Sequence, residues 1–171
     1  MKDSLGLFEK DIDEEAFIVS KTDLKGNITY CNQTFLEIVN LKNKDLIGKP
    51  HNLVRHPDMP KFVFKLLWER IKDKKEIFAF VKNRTFDGAY YWVYANITSS
   101  LDEHGNIIGY YSVRRKASKE AIKTVIPIYA KMVEIEKAKG VDDSAKYIKD
   151  FLASNNIAYD CLINNLQRSK G

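Results

Sequence analysis

The 171-residue sequence is poor in the residues that build covalent or metal-bound frameworks. It contains three histidines and only two cysteines, Cys31 and Cys161, which lie far apart in the chain. Such a pair forms neither a metal-binding motif nor the disulfide framework of a small secreted protein. The sequence also has no Gly-rich phosphate loop, no nucleophile elbow and no histidine pair at metal-ligand spacing. We therefore predict that the protein is not an enzyme and has no catalytic or metal site.

Long apolar runs and a strong charge asymmetry are also absent. No stretch approaches the roughly 20 apolar residues of a membrane-spanning helix, and no signal peptide opens the chain. The net charge is +5, and the basic residues form no stripe of the kind that binds nucleic acid. We therefore expect a soluble, cytoplasmic protein with no nucleic-acid partner and no direct membrane insertion. Its 44% hydrophobic residues suffice for the core of one compact domain.

The sequence does contain a regular succession of strand and helix patterns. Runs of β-branched and aromatic residues next to Gly-Asn and Asp-Gly turn pairs predict strands, and apolar residues at helical spacing predict helices. In chain order the predicted elements are strands at 16–20 and 28–31, helices at 33–39 and 43–47, a longer helix ending near 73, strands at 77–85, 90–100 and 107–115, and three amphipathic helical segments. Pro127 is expected to kink or restart the first of these segments. This order is typical of an α+β fold, with a five-stranded antiparallel sheet, helices on one side and helices at the C-terminus.

The segment 49–60 stands out because it combines three prolines and two histidines with an arginine and an aspartate. Asp58 is expected to be the N-cap of the long helix, with Pro60 in its first turn. Arg55 and His56 then place positive charge beside a helix N-terminus that already carries about half a positive charge. An anionic ligand at that N-terminus would resolve the conflict. The alternative is a solvated loop in which Arg55 pairs with a distant carboxylate.

Other side chains inside the predicted elements are candidates for a ligand pocket. Trp68 falls on the long helix, where it lies either in the core or in a pocket wall. Asn83 and Asn96 fall inside strands, where asparagine is depleted, so each needs a hydrogen-bond partner if it faces inward. A planar heteroaromatic ligand would supply such partners. Asn32 is expected to cap the first helix, and Cys31 beside it is expected to pack in the core.

Four motifs carry a resemblance to a known family. They are Asn32-Gln33-Thr34-Phe35, the block Gly48-Lys49-Pro50-His51-Asn52-Leu53-Val54-Arg55-His56-Pro57-Asp58-Met59-Pro60, Val81-Lys82-Asn83-Arg84 and Tyr91-Trp92-Val93-Tyr94-Ala95-Asn96. With the order of elements, they resemble the flavin-binding PAS domain of bacterial aerotaxis and energy-taxis receptors over about residues 16–130. The length of the second block makes the resemblance specific.

The resemblance implies a PAS fold and a non-covalently bound FAD whose redox state reports oxygen or electron-transport status. The family residues linked to FAD fall on six positions of this chain: Asn32, Arg55, His56, Asp58, Trp68 and Asn83. This agrees with the interpretation of the residues themselves, in which the positive loop faces a pyrophosphate and the asparagines face a ring edge. The redox chemistry would belong to the cofactor.

We expect three segments: an N-terminal helix or arm at 1–15, a PAS sensory domain at 16–117 and a helical signalling or docking region at 118–171. Aerotaxis receptors of this kind usually continue into membrane helices and a long coiled coil. This chain resembles instead the split arrangement, in which a small PAS protein passes its state to a separate membrane-bound chemotaxis transducer. Such a partner would recruit the protein to the inner membrane, and a homodimer through the N- or C-terminal helices is a further expectation. Whether the C-terminal helices dock a partner or cap the PAS sheet stays open.

Two other functions stay open at this stage. A haem-binding PAS gas sensor would take an axial nitrogen from His51, His56 or His104. A PAS domain without a ligand would act purely as a protein-interaction module. A blue-light photoreceptor is disfavoured, because its reactive cysteine would belong on a helix and Cys31 lies on the strand side of Asn32.

Overall fold

The computed structural model of the protein describes residues 8–169, and these form an α+β structure as predicted. The strands are β1 (Phe8–Glu9), β2 (Ile18–Thr22), β3 (Ile28–Cys31), β4 (Ile77–Arg84), β5 (Ala89–Leu101) and β6 (Ile107–Lys116). The helices are α1 (Gln33–Val39), α2 (Asn43–Leu46), α3 (Lys61–Lys72), α4 (Lys119–Lys139), α5 (Val141–Ser154) and α6 (Tyr159–Arg168). A 3₁₀ turn, His51–Val54, lies between α2 and α3.

The strands form one sheet in the order β1-β5-β6-β2-β3, with β4 on the other edge of β5. All neighbours are antiparallel except β1, which runs parallel to the start of β5 and places Phe8 opposite Ala89. The prediction of a purely antiparallel, five-stranded sheet was therefore wrong in this detail. A two-residue strand is too short to produce a periodic pattern in the sequence. Residues 8–15 are an arm with this short strand and not a helix, and residues 1–7 lie outside the described range.

Local signals set most of the element boundaries. The side chain of Asn32 accepts the backbone N–H of Phe35 at 3.1 Å and caps α1, as predicted. Gly88 and Gly105 have φ of +88° and +78° at the two hairpin turns that bracket β5. The first predicted strand begins two residues later than expected, at Ile18, because the backbone N–H of Ala16 closes a turn on the carbonyl of Asp13.

The sheet has helices on both faces. Successive side chains of a strand point to opposite faces, so one set of β4–β6 residues faces α3 and the other set faces α4 and α6. On the second face, the hydroxyl of Tyr129 in α4 donates to the carbonyl of Phe80 at 2.9 Å, and Tyr94 hydrogen-bonds Asn164 of α6. In this structure the C-terminal helices therefore cover the outer face of the sheet.

Helix α4 runs without interruption through Pro127 and ends at Lys139, and its C-cap Gly140 has a φ of +102°. Pro127 was expected to kink or restart the helix; the restart is not seen, and the kink stays a prediction. The missing N–H of Pro127 still leaves one carbonyl of the preceding turn without its helical donor. Of the helices between residues 8 and 169, none combines the length and apolar character needed to cross a membrane.

Candidate functional site

A cavity of about 180 Å³ lies between the inner face of the sheet and helix α3. Most of its wall comes from inward-facing strand residues, from one side of α3 and from the segment that contains the 3₁₀ turn. The main lining residues are Ser20, Val81, Asn83, Ala95, Ile97, Tyr110, Ser112 and Arg114 of the sheet, Phe64, Leu67, Trp68 and Ile71 of α3, and Gly26, Pro50, His51, Asn52 and Arg55 of the loops. The exposed lining residues Lys25, Pro50 and Asn52 mark where the cavity opens to solvent.

Arg55 lies in the cavity wall with its guanidinium stacked 3.5 Å above the centre of the Phe64 ring. Its Nε is buried and has no hydrogen-bond partner among residues 8–169. The alternative of a distant carboxylate is not seen, since none forms an ion pair with Arg55 within residues 8–169. Burial lowers the pKa of the guanidinium, but arginine stays charged at neutral pH. A half-buried, unpaired cation therefore faces the cavity.

The segment that carries Arg55 is fixed to strand β4. The backbone N–H of His56 donates to the carbonyl of Lys82 at 3.3 Å, and the Nε of Arg84 donates to the carbonyl of Leu53 at 3.1 Å. The ammonium of Lys82 donates to the Asp58 carboxylate at 2.7 Å. These contacts hold the loop in place and direct Arg55 towards the cavity.

Trp68 forms an aromatic wall of the cavity. Its indole packs edge-on against Tyr110, with the ring centres 5.2 Å apart. Gly26 lies directly against it, because a Cβ atom at Gly26 would come within 3.2 Å of Cζ2 of the indole. The β2–β3 turn therefore approaches Trp68 closely enough to hold the ring in one orientation. A flat aromatic surface of this kind is suited to contact with a planar ligand.

The two strand asparagines lie on opposite faces of the sheet. Asn83 is 4% exposed, lines the cavity and donates from Nδ2 to the Tyr91 hydroxyl in a long contact of 3.4 Å. Burial raises the pKa of Tyr91 to about 12, so its phenol is neutral at physiological pH. Asn96 instead faces outward and donates to Glu76 at 3.0 Å. The expectation that Asn96 could face inward fails because it lies an odd number of residues from the inward-facing positions of β5.

Three of the six predicted cofactor residues do not line the cavity. The Asn32 side chain makes its hydrogen bonds with backbone groups of the protein. It accepts the N–H groups of Val19 and Phe35 and donates to the carbonyl of Phe17 at 2.8 Å. His56 is 5% exposed, and its Nδ1 accepts the backbone N–H of Asp58 at 3.1 Å. Burial and the nearby Lys82 lower the pKa of His56, which favours the neutral ring.

Asp58 is not the N-cap of α3, so that prediction was wrong. Pro60 occupies the N-cap position, and the Asp58 carboxylate points to Lys82 instead. The cap is supplied by α4: the two carboxylate oxygens of Glu136 accept the backbone N–H groups of Lys61 and Phe62 at 2.8 and 2.9 Å. The anion that the sequence predicts at this N-terminus is therefore a side chain of the protein itself. A ligand pyrophosphate does not have these donors available.

Sequence reasoning missed Arg114, Ser20 and His51 as partners in the cavity wall. Arg114 is 2% exposed and donates to the Ser20 hydroxyl at 2.7 Å, and its guanidinium lies 3.3 Å from Nε2 of His51. One signal was present in the sequence, since Arg114 occupies the inward register of a strand in which Tyr110 and Ser112 also face inward.

The cavity offers hydrogen-bond donors and aromatic surface, with no acidic side chain among its described lining residues. It contains no pair of groups placed for acid–base catalysis: burial and the charge of Arg114 lower the pKa of His51 to about 3, which keeps the ring neutral. The arrangement can bind and orient a planar ligand rich in acceptor atoms.

Comparisons of sequence identify the family to which the chain belongs. The PAS fold family matches residues 12–116. The chain is 41% identical over 116 residues to the aerotaxis receptor of Escherichia coli (strain K12), an alignment that covers 68% of this chain and 23% of the receptor. It is 25% identical over 113 residues to the nitrogen fixation regulatory protein of Klebsiella pneumoniae, with 66% of this chain and 23% of that protein covered. The chain thus spans about a quarter of the length of these relatives.

Comparisons of structure give the same fold. The light-state structure of the blue-light photoreceptor Aureochrome1 LOV superposes with a TM-score of 0.58 at 22% identity, covering 64% of this chain and 88% of that one. The PAS domain of a protein from Colwellia psychrerythraea gives a TM-score of 0.55 at 17% identity, covering 60% of this chain and 87% of that one. Residues 12–116, which the family model matches, include strands β2 to β6 and helix α3. The chain therefore belongs to the PAS family.

Proposed function

We propose that this protein is a non-enzymatic redox sensor that binds FAD non-covalently in the cavity and signals to a separate membrane-bound chemotaxis transducer. The observation that carries the proposal is a cavity walled by Trp68, Asn83 and the unpaired Arg55, in a chain similar to an aerotaxis receptor. On this proposal the protein is cytoplasmic and is recruited to the inner membrane through its partner.

The residues of the cavity fit a flavin. The ring of a flavin presents carbonyl oxygens and ring nitrogens, and the cavity presents Asn83 together with two arginines whose buried Nε atoms lack partners, Arg55 and Arg114. The volume of about 180 Å³ is below the roughly 300–1,000 Å³ of sites that enclose a whole ligand. The cavity would therefore enclose the ring, and the phosphates and adenosine would extend past Arg55 towards the exposed Lys25 and Asn52. When bound, the flavin would supply the oxidation–reduction chemistry.

The route of the signal follows from helix α3. This helix contributes Phe64 and Trp68 to the cavity, and its first turn is capped by Glu136 of α4. A change in ligand charge that shifts α3 would therefore alter the attachment of α4, which is the kind of two-state element that a ligand can bias. We assign sensing to residues 16–117 and output to residues 118–171, where the helices cap the sheet in one state and dock the transducer in the other.

An absorbance spectrum of the purified protein, before and after dithionite, tests the cofactor. Twin bands near roughly 370 and 450 nm that bleach on reduction are expected for flavin, and mass spectrometry of the released cofactor distinguishes FAD from FMN. A single sharp band near about 400–430 nm would instead assign haem. Failure to bind FAD even after reconstitution would overturn the sensor proposal and favour the ligand-free interaction module.

Hydrogen exchange of the oxidised and reduced holoprotein tests the output. We expect the amides of α4 to α6 to exchange at different rates in the two states, with exposed loops such as the β5–β6 turn unchanged as the internal control. Equal protection of the C-terminal helices in both states would refute the proposed signalling role of residues 118–171.

A further inference from the structure

Arg114 is a buried cation in the cavity wall. It is 2% exposed and lies in the inward register of β6, next to Arg115, which faces outward. The cost of burying a charge is normally met by an opposite charge or by a full set of hydrogen bonds. Arg114 has neither.

All the contacts of Arg114 are made with neutral groups. Its guanidinium donates to the Ser20 hydroxyl at 2.7 Å, lies 3.3 Å from Nε2 of His51 and packs 4.4 Å above the centre of the Phe35 ring. His51 carries no positive charge at neutral pH, but it supplies no negative charge either. The Nε of Arg114 is buried without a partner, and no carboxylate pairs with its guanidinium in the part of the chain that the structure describes.

We propose that Arg114 is the subsite for the acceptor-rich edge of the ring ligand, with Ser20 and His51 as the residues that hold its guanidinium in place. This inference rests on the proposed flavin. For a flavin the relevant edge belongs to the pyrimidine-dione ring, where N1 and the neighbouring carbonyl oxygen accept hydrogen bonds and carry the negative charge of the reduced ring. The unpaired charge of Arg114 then selects a ligand that has, or gains, negative charge at this edge.

On this proposal the two arginines of the cavity bind different parts of the ligand. Arg55 is half-buried in the loop before α3, whereas Arg114 is fully buried in strand β6. Arg114 therefore contacts the ring, and Arg55 is the cation available to the phosphates. Loss of Arg114 should weaken riboflavin and FAD by the same factor, whereas loss of Arg55 should weaken FAD more than riboflavin.

The test compares Arg114→Met and Arg114→Lys with Arg115→Met, the adjacent residue on the opposite face, whose guanidinium lies over Tyr94. Riboflavin and FAD are titrated into each ligand-free protein. We expect Arg114→Met to weaken both ligands by roughly ten- to a hundredfold, the usual effect of losing a charged hydrogen bond. Arg114→Lys should recover part of the affinity, and Arg115→Met should bind as the wild type does.

Two further measurements separate this role from a merely structural one. If Arg114 stabilises the reduced ring tenfold more than the oxidised ring, its loss lowers the two-electron midpoint potential by about 30 mV. The ligand-free Arg114→Met protein should also be at least as stable to heat as the wild type, because an unpaired buried charge has been removed. If Arg114 were a structural residue, the Arg114→Met change would instead lower the thermal stability of the ligand-free protein.

The outcomes are distinguishable. If the wild type binds no flavin, the proposed function and this subsite fail together. If the wild type binds but Arg114→Met matches Arg115→Met in affinity and potential, only the subsite is refuted. If ligand-free Arg114→Met is strongly destabilised, Arg114 is a structural residue and the inference is overturned as well.

Discussion

The carboxylate of Glu136 accepts the backbone N–H of Lys61 at 2.8 Å, across the boundary between the C-terminal helices and the sensory domain. Helix α3 begins after Pro60, which has no side-chain oxygen to cap it. Unpaired N–H groups in the first turn of a helix are satisfied by a nearby acceptor, and here the acceptor comes from α4. The helix that lines the cavity is thus completed by the segment proposed to carry the signal.

Replacing Glu136 by Ala should destabilise the protein by about 0.5–2 kcal/mol, the usual effect of losing a helix cap. The matched control is Glu134→Ala, an exposed residue of the same helix whose carboxylate pairs with Lys131 on the helix surface. That change should cost less than about 0.5 kcal/mol. Urea unfolding measures both variants, and equal midpoints would contradict a capping role for Glu136.

Alanine substitutions at two glycines of similar conformation distinguish the effect of backbone strain from the effect of contact with Trp68. Gly26 and Gly48 have φ of +83° and +78°, but a Cβ atom added at Gly26 would lie 3.2 Å from the Trp68 indole, whereas one added at Gly48 would meet no other group of the described structure within 4 Å. Each glycine-to-alanine change should cost about 1–2 kcal/mol for the left-handed backbone. Gly26→Ala should in addition shift the indole and change the near-ultraviolet circular dichroism of the folded protein. The same spectral change in Gly48→Ala would show that Trp68 is not held by the turn.

The ligand-free protein should lose stability as the pH falls below about 6.5. Burial and the charge of Arg114 lower the pKa of His51 from 6.5 to about 3, so the unfolded chain binds a proton that the folded protein does not. The stabilisation is fully present above pH 6.5 and decreases as the pH falls towards 3, by at most about 1.4 kcal/mol per pH unit from this one group. His56, whose pKa is also lowered, acts in the same direction.

Urea unfolding between pH 5 and 7 measures this dependence. His51→Gln keeps an acceptor for Arg114 but cannot titrate, so it should reduce the slope of the free energy of unfolding against pH. His104→Gln, in the exposed β5–β6 turn and outside the cavity, is the matched histidine-to-glutamine control. An unchanged slope in His51→Gln would mean that His51 is not held neutral by its surroundings.

The features that the sequence predicted correctly depend on neighbours in the chain. Asn32 caps α1 through a residue three positions away, and the hairpin glycines act within their own turns. The errors concern contacts between distant residues. Asp58 has the composition of a cap, but Lys82 attracts its carboxylate, and the actual cap, Glu136, lies 75 residues beyond Lys61. No local pattern reports a contact of that kind.

The candidate site was predicted only in part, because some of its contacts join residues that lie far apart in the chain. Arg55, Trp68 and Asn83 were named and all three line the cavity, while their role in holding a cofactor stays a prediction. Arg114 was overlooked because a basic residue in a strand is normally assigned to the solvent side. Its importance appears only when the absence of a pairing carboxylate in the described structure is combined with its burial.

The short strand β1 protects an edge that the rest of the sheet leaves open. Strand β6 pairs with β5 only from Val93 onward, and at Tyr90 the same edge is covered by β1, where Lys10 donates to the Tyr90 carbonyl at 2.7 Å. An uncovered edge is a template for a strand from another molecule. A chain shortened to begin at residue 12 should therefore self-associate with increasing concentration, even though every residue matched to the family is still present.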